Sequence, residues 1–197
     1  MNTPLTTTIM LAVVLILVAA AAIIAALVHR KRQSLRLKKR FGTEYERTVE
    51  RAGGESKAEA ELRAREARVA KLDIRPLPAE EARRFSQAWR GLQGRFVDSP
   101  KGAVVQADKL VRELMTARGY PMGDFERRAS DISVDHPGVV DAYRSAQVIA
   151  AKDARGEADT EELRKAIVHY RTLFADLLEV RTDPVAETPR STVAAQS

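Results

Sequence analysis

Residues 9–28 form an unbroken apolar run of twelve Leu, Ile or Val, seven Ala and one Met, and no charged side chain occurs in the first 28 positions. As a helix this run extends roughly 30 Å, the hydrocarbon thickness of a bilayer. Its branched aliphatics favour insertion by about 4–7 kcal/mol. A buried helix of a soluble protein would need other helices on every side, which a chain of 197 residues can hardly supply beside its own core. The closer alternative is a cleaved signal peptide, which has basic residues before a shorter apolar run and a small-residue cleavage site after it. Here nothing basic precedes the run, and His29-Arg30-Lys31-Arg32 follows it directly. The Ala-rich stretch 19–22 imitates a cleavage site and keeps an exported domain as an alternative reading.

The sign of the flanking charge predicts a direction. Arg30, Lys31, Arg32, Arg36, Lys38, Lys39 and Arg40 crowd a tract with no acid, and none precedes the span. Basic residues resist translocation, so residues 1–8 are expected outside and everything after residue 28 in the cytoplasm. The same seven side chains are candidate contacts for anionic lipid headgroups, at up to about 1 kcal/mol each near the surface. The whole chain carries +6, so residues 41–197 sum to −1. A domain so nearly neutral is not expected to bind nucleic acid.

Residues 29–52 read as a basic juxtamembrane helix. Leu37, Phe41, Tyr45 and Val49, at i, i+4 steps, form a narrow apolar stripe to rest on the membrane or pair with another helix. Gly53-Gly54 breaks this helix, and Ser56 with Glu59 has the spacing of a capping box. Residues 53–77 are expected to be a charged, solvated helical stalk followed by a Pro hinge at Pro76 and Pro78. Few large apolar side chains occur there, and Glu59/Arg63 and Glu61/Arg65 are favourable i, i+4 pairs. From residue 78 apolar positions recur at helical spacing, giving four main helices and one short helix near residues 124–132, a compact bundle over 78–180. Ser99-Pro100, Gly119 with Pro121, His136-Pro137 and Asp159 with Glu162 punctuate it. Residues 181–197 lack periodicity and read as a disordered tail. The expected fold is all-α: one transmembrane helix, a stalk and a bundle.

Signatures of chemistry are scarce. The chain has no Cys and three His, and its glycines form no phosphate-cradling motif. Asp131, Asp135 and His136 are the best polar cluster, candidates for a metal or an acid/base pair, but helix capping explains the same residues. Trp89, in register with Phe85 and Phe96, is expected in the core. His169 reads as a boundary residue, and Tyr120 as an aromatic folding back after a helix stop.

Three blocks, FGTEYERTVE (41–50), WRGLQGRFVDSPKGAVVQADKLV (89–111) and RGYPMGDFERRASDISVDHPGVVDAYR (118–144), resemble a family of uncharacterised small bacterial proteins with an N-terminal membrane segment and a C-terminal helical domain. The resemblance spans about residues 41–180 and implies a bacterial origin and an anchor; no reaction, ligand or residue role comes with it. The expectation is a non-enzymatic, membrane-anchored interaction or scaffold protein of the bacterial inner membrane. It needs no cofactor or metal, and its partners are membrane lipids and a protein. The transmembrane and stalk helices also offer surfaces for a homodimer. The alternatives are a membrane-tethered enzyme or ligand sensor with a site near Asp131, Asp135 and His136, and the exported domain.

Overall fold

The computed structural model describes residues 3–178, with side chains from Met10 onward. The expected disordered tail lies outside the described residues, as do the first two residues of the outer segment. All regular structure among the described residues is helical.

The first helix, α1 (Thr3–Phe41), runs without interruption through the apolar segment and the basic tract. From Met10 to Val28 its apolar stretch is exposed among the described residues, and the helix is long and apolar enough to cross a membrane. Gly42, with φ of 52°, ends it and turns the chain into α2 (Thr43–Ala52). Gly53 and Gly54 both have positive φ and close a two-residue turn into α3 (Glu55–Val69). That turn starts α3 at Glu55, so Ser56 lies inside the helix and the expected Ser56/Glu59 capping box does not form. Then follow α4 (Ala79–Arg95), α5 (Pro100–Arg118), α6 (Phe125–Asp135), a 3-10 turn (Pro137–Val139), α7 (Val140–Ala154) and α8 (Thr160–Leu177).

Two hydrophobic cores result among the described residues. The larger lies among α4, α5, α7 and α8, where Trp89 stacks on Phe174 at 4.7 Å and Val104, Val111, Leu114, Tyr143, Tyr170 and Leu173 are buried. Several of the bundle's start and stop signals act where the sequence placed them, whereas His136-Pro137 opens only the 3-10 turn and α7 itself starts at Val140. Asp159 and Glu162 form a reciprocal capping box, Gly119 ends α5 in the left-handed conformation, and Tyr120 folds back so that its N–H reaches the Met115 carbonyl.

The smaller core departs from expectation. Leu37 and Phe41 of α1, Tyr45 of α2, Leu62 and Val69 of α3 and Val134 of α6 pack together. The segment expected to be a solvated stalk is therefore a packed layer: α3 buries Ala58, Leu62, Arg65 and Val69, which recur at 4-3-4 spacing on one face. Only two of the four are large and apolar, which is why the composition suggests a solvated helix. Helix α6 joins the two cores, giving Ala129 and Ile132 to one and Val134 to the other.

The expected Pro hinge is also tied down. The Arg75 N–H donates to the Arg118 carbonyl (3.0 Å), Arg118 Nε donates back to the Arg75 carbonyl (3.3 Å), Leu77 is fully buried, and Ile74 packs against both cores. Gly119 sits under this strand of chain with φ of 97°, and a Cβ there would overlap the Asp73 carbonyl oxygen. Gly119→Ala therefore combines left-handed strain with a backbone clash and should destabilise the domain by roughly 2–4 kcal/mol, read in urea denaturation. Gly138→Ala, where a Cβ meets nothing within 4 Å, should shift the midpoint far less.

Candidate functional site

Polar side chains gather on two adjoining surfaces: a buried charge cluster where α2, α3, α6 and α7 meet, and the basic collar at the end of α1. Glu44 anchors the first. It stands on α2 beside Tyr45, fully buried, and takes a hydrogen bond from Arg144 Nε of α7 at 2.8 Å. Arg65 of α3 approaches the same carboxylate at 3.4 Å. Each arginine has a second acid nearer the solvent. Arg144 Nη1 donates to Glu126 at 2.7 and 2.9 Å, and Arg65 Nη2 donates to Glu61 at 2.7 Å. The Thr48 hydroxyl donates to the Glu44 carbonyl, and the Arg144 guanidinium lies 5.7 Å from the centre of the Phe125 ring.

Burial opposes the charge on Arg144, but Glu44 and Glu126 outweigh it and hold the guanidinium above its usual range. At Glu61 burial pushes the carboxyl up, while hydrogen bonds and charge from Arg65 and Arg51 more than reverse this and leave it below the ordinary glutamate range. Burial, aided by Asp108, also keeps the Tyr170 hydroxyl protonated, and that hydroxyl donates to Asp108 at 3.1 Å.

A cleft of about 490 Å³ opens over Glu44, Thr48, Arg51 and Arg144, and another of about 410 Å³ lies between α3 and α6 beside Arg68 and Arg127. Most of the charges lining them are already paired, Glu44 with Arg65 and Arg144, Glu126 with Arg144, and Arg65 with Glu61. What such an arrangement does is hold four helices in register, since a carboxylate shared by two buried guanidiniums tolerates little displacement.

The structure separates the three residues that the sequence grouped. Asp131 is fully buried against α3, accepting from Arg68 Nη2 at 2.6 Å and Nε at 2.9 Å. Asp135 faces the collar, 3.7 Å from Arg40. The His136 ring pairs with Asp176 of α8 at 2.5 Å through Nδ1. They serve three different contacts, and among the described residues no three His, Asp or Glu side chains are placed to share a metal ion.

The collar sorts its cations by helix face. Leu37 and Phe41 point into the small core. On one flank Arg36 and Arg40 meet Glu66 of α3 at 2.6 and 3.0 Å, and Arg40 Nε donates to the Val134 carbonyl at 3.2 Å. On the other, Lys38 stands 3.7 and 3.8 Å from Glu46 and Glu55. Arg30, Lys31, Arg32 and Lys39 make no ion pair among the described residues.

Glu44 and Arg144 are absent from any reading by motif, and Arg65 enters only as the i, i+4 partner of Glu61, with no motif to mark it as buried. One signal existed for Arg65: it occupies the apolar-face position between Leu62 and Val69, where an arginine demands a buried acid. Compared with protein-family models, with curated proteins and with solved structures, the chain matches none.

Glu44→Ala leaves two buried guanidiniums short of an acceptor and should cost about 3 kcal/mol. Hydrogen exchange should show α2 and α3 amides losing protection while α5 and α8 amides keep theirs, because the larger core is intact. The depressed carboxyl of Glu61 adds an acid-sensitive contribution to the same joint. That contribution is complete above the unfolded glutamate value and vanishes as pH falls through the lower folded one. Protection factors in α3, corrected for the slower intrinsic exchange at low pH, should therefore fall on acidification in the wild type and respond less in Glu61→Gln.

Proposed function

We propose that this chain is a single-pass protein of the bacterial inner membrane, with its N-terminus outside and its helical domain in the cytoplasm, and that the domain holds a protein partner at the membrane surface. The observation that carries the reading is the seat of α1 in the domain. The helix that leaves the apolar segment is the helix whose last turns bury Leu37 and Phe41. Leu37 stands nine positions after Val28, a rise of about 14 Å. A domain attached in this way stays beside the bilayer and presents the same faces to the same layer of solution, the geometry expected of a scaffold. Tethering a partner there raises its effective concentration for other membrane-bound components. Charge asymmetry supports the direction, with seven Lys or Arg following the apolar run and none ahead of it.

The α4–α5 side of the larger core carries exposed valines, Val97 between α4 and α5 and Val105 on α5. Two measurements test the proposal. Alkaline phosphatase fused after residue 178 should be inactive and a fluorescent protein at the same point bright; an active phosphatase overturns the orientation. A photo-crosslinker at Val97 or Val105 should yield discrete adducts in growing cells. Their absence at both sites, with the chain folded and in the membrane fraction, counts against a partner on this face.

A further inference from the structure

We propose that the groove between the collar of α1 and the N-terminal half of α3 binds the phosphate of an anionic phospholipid headgroup; this rests on the reading that α1 crosses the bilayer. The groove encloses about 580 Å³, with Arg30, Lys31, Leu35 and Lys38 on one wall and Arg63 on the other.

Its place on the helix is what points to lipid. Ile24, Leu27, Lys31, Leu35 and Lys38 follow one another at intervals of three or four residues, so the groove wall and the exposed side chains of Ile24 and Leu27 lie on a single stripe of α1. A phospholipid lying along that stripe sets its acyl chain on Leu27 and Ile24 while its headgroup reaches the groove. Leu35, 57% exposed among cations, extends the apolar path beyond the span.

Charge favours an anion. Four cations line the groove against two acids, Glu55 and Glu59. The acids hold their partners loosely, Glu59 at 3.6 Å from Arg63 and Glu55 at 3.8 Å from Lys38, which also stands 3.7 Å from Glu46 outside the groove, so both cations keep N–H groups for a phosphate oxygen. Arg30 and Lys31 make no ion pair among the described residues. The first turn of α3 also faces this end, and its N-cap, Gly54, offers no side chain to the backbone N–H groups there. The opposite flank of the collar is closed by Glu66 on Arg36 and Arg40. One flank of the helix thus docks the domain, and the other is left for the membrane.

Arg63 makes the idea testable, because it belongs to α3 and not to the charged tract that follows the span. Full-length protein is reconstituted in phosphatidylcholine nanodiscs with and without phosphatidylglycerol, then released for native mass spectrometry to count retained lipids. The wild type should retain a phosphatidylglycerol in preference to phosphatidylcholine. Arg63→Gln should lower that retention about fivefold, and Arg32→Gln, with the same charge change on the outer face of the collar, should not. Equal loss in the two variants, no preference for the anionic lipid, or release of the lipid by inorganic phosphate alone overturns the site. Incorporation into nanodiscs and resistance of the membrane-bound protein to carbonate extraction report separately on whether α1 spans, so failure of the groove and failure of the anchor are distinguishable.

Discussion

Leu37 and Phe41 are fully buried although they stand on a helix that begins in the apolar segment, and the rest of the arrangement follows from that. Withdrawing them from α2, α3 and α6 would return two large side chains to water, at about 2 kcal/mol each. It would also break the Arg40 hydrogen bond to Val134 and strand Glu66. A helix backbone has no soft joint between residues 28 and 37, so rotation or tilt of the apolar segment is carried into the domain. The molecule is better described as a helix end set into a small core than as a domain hanging from a leash.

The charge cluster makes this small core possible. Six buried apolar side chains are few for a hydrophobic nucleus, and two of them come from a helix otherwise rich in Lys and Arg. Glu44 between Arg65 and Arg144 adds what the apolar set lacks, a geometric demand. It joins α2 to α3, only 21 positions away, and to α7, 100 positions away, and a shift in any of these helices leaves a buried charge unmet. Asp131 with Arg68 does the same between α6 and α3. Individually such pairs contribute little net stability against an apolar substitute; their effect is that only one relative placement of four helices satisfies them all.

The larger core was legible because its signals are local. Pro100 in the first turn of α5, the left-handed Gly119 and the Asp159–Glu162 box each act within a few residues, and Trp89, Val104, Leu114 and Tyr170 recur at helical spacing. The apolar stripe from Leu37 to Tyr45 was legible too, but its partner was not. Two of the four buried positions on α3 are Ala58 and Arg65, which composition reads as solvent-facing. The surfaces that cover them come from α2 and from α6, the latter about 65 residues farther along the chain. For the same reason Asp131, Asp135 and His136, adjacent in sequence, looked like one cluster. A helix end followed by a 3-10 turn points them at α3, α1 and α8 in succession.

The collar illustrates how one set of charges can serve twice without conflict. In the proposed orientation its Lys and Arg side chains act first on an unfolded chain, when the cost of moving cations across the bilayer decides which end stays behind. At that stage the acids of α3 are merely nearby residues with no fixed geometry, and they weigh little in the decision. Once the domain folds, Glu66 arrives between Arg36 and Arg40 and turns two of those cations into docking contacts, while Arg30, Lys31 and Arg32 remain against the interface. Pairing after insertion cannot undo the direction already set, so the acids can stand next to the tract. Their placement on α2, α3 and α6, downstream of the collar rather than inside it, is what keeps the two roles apart.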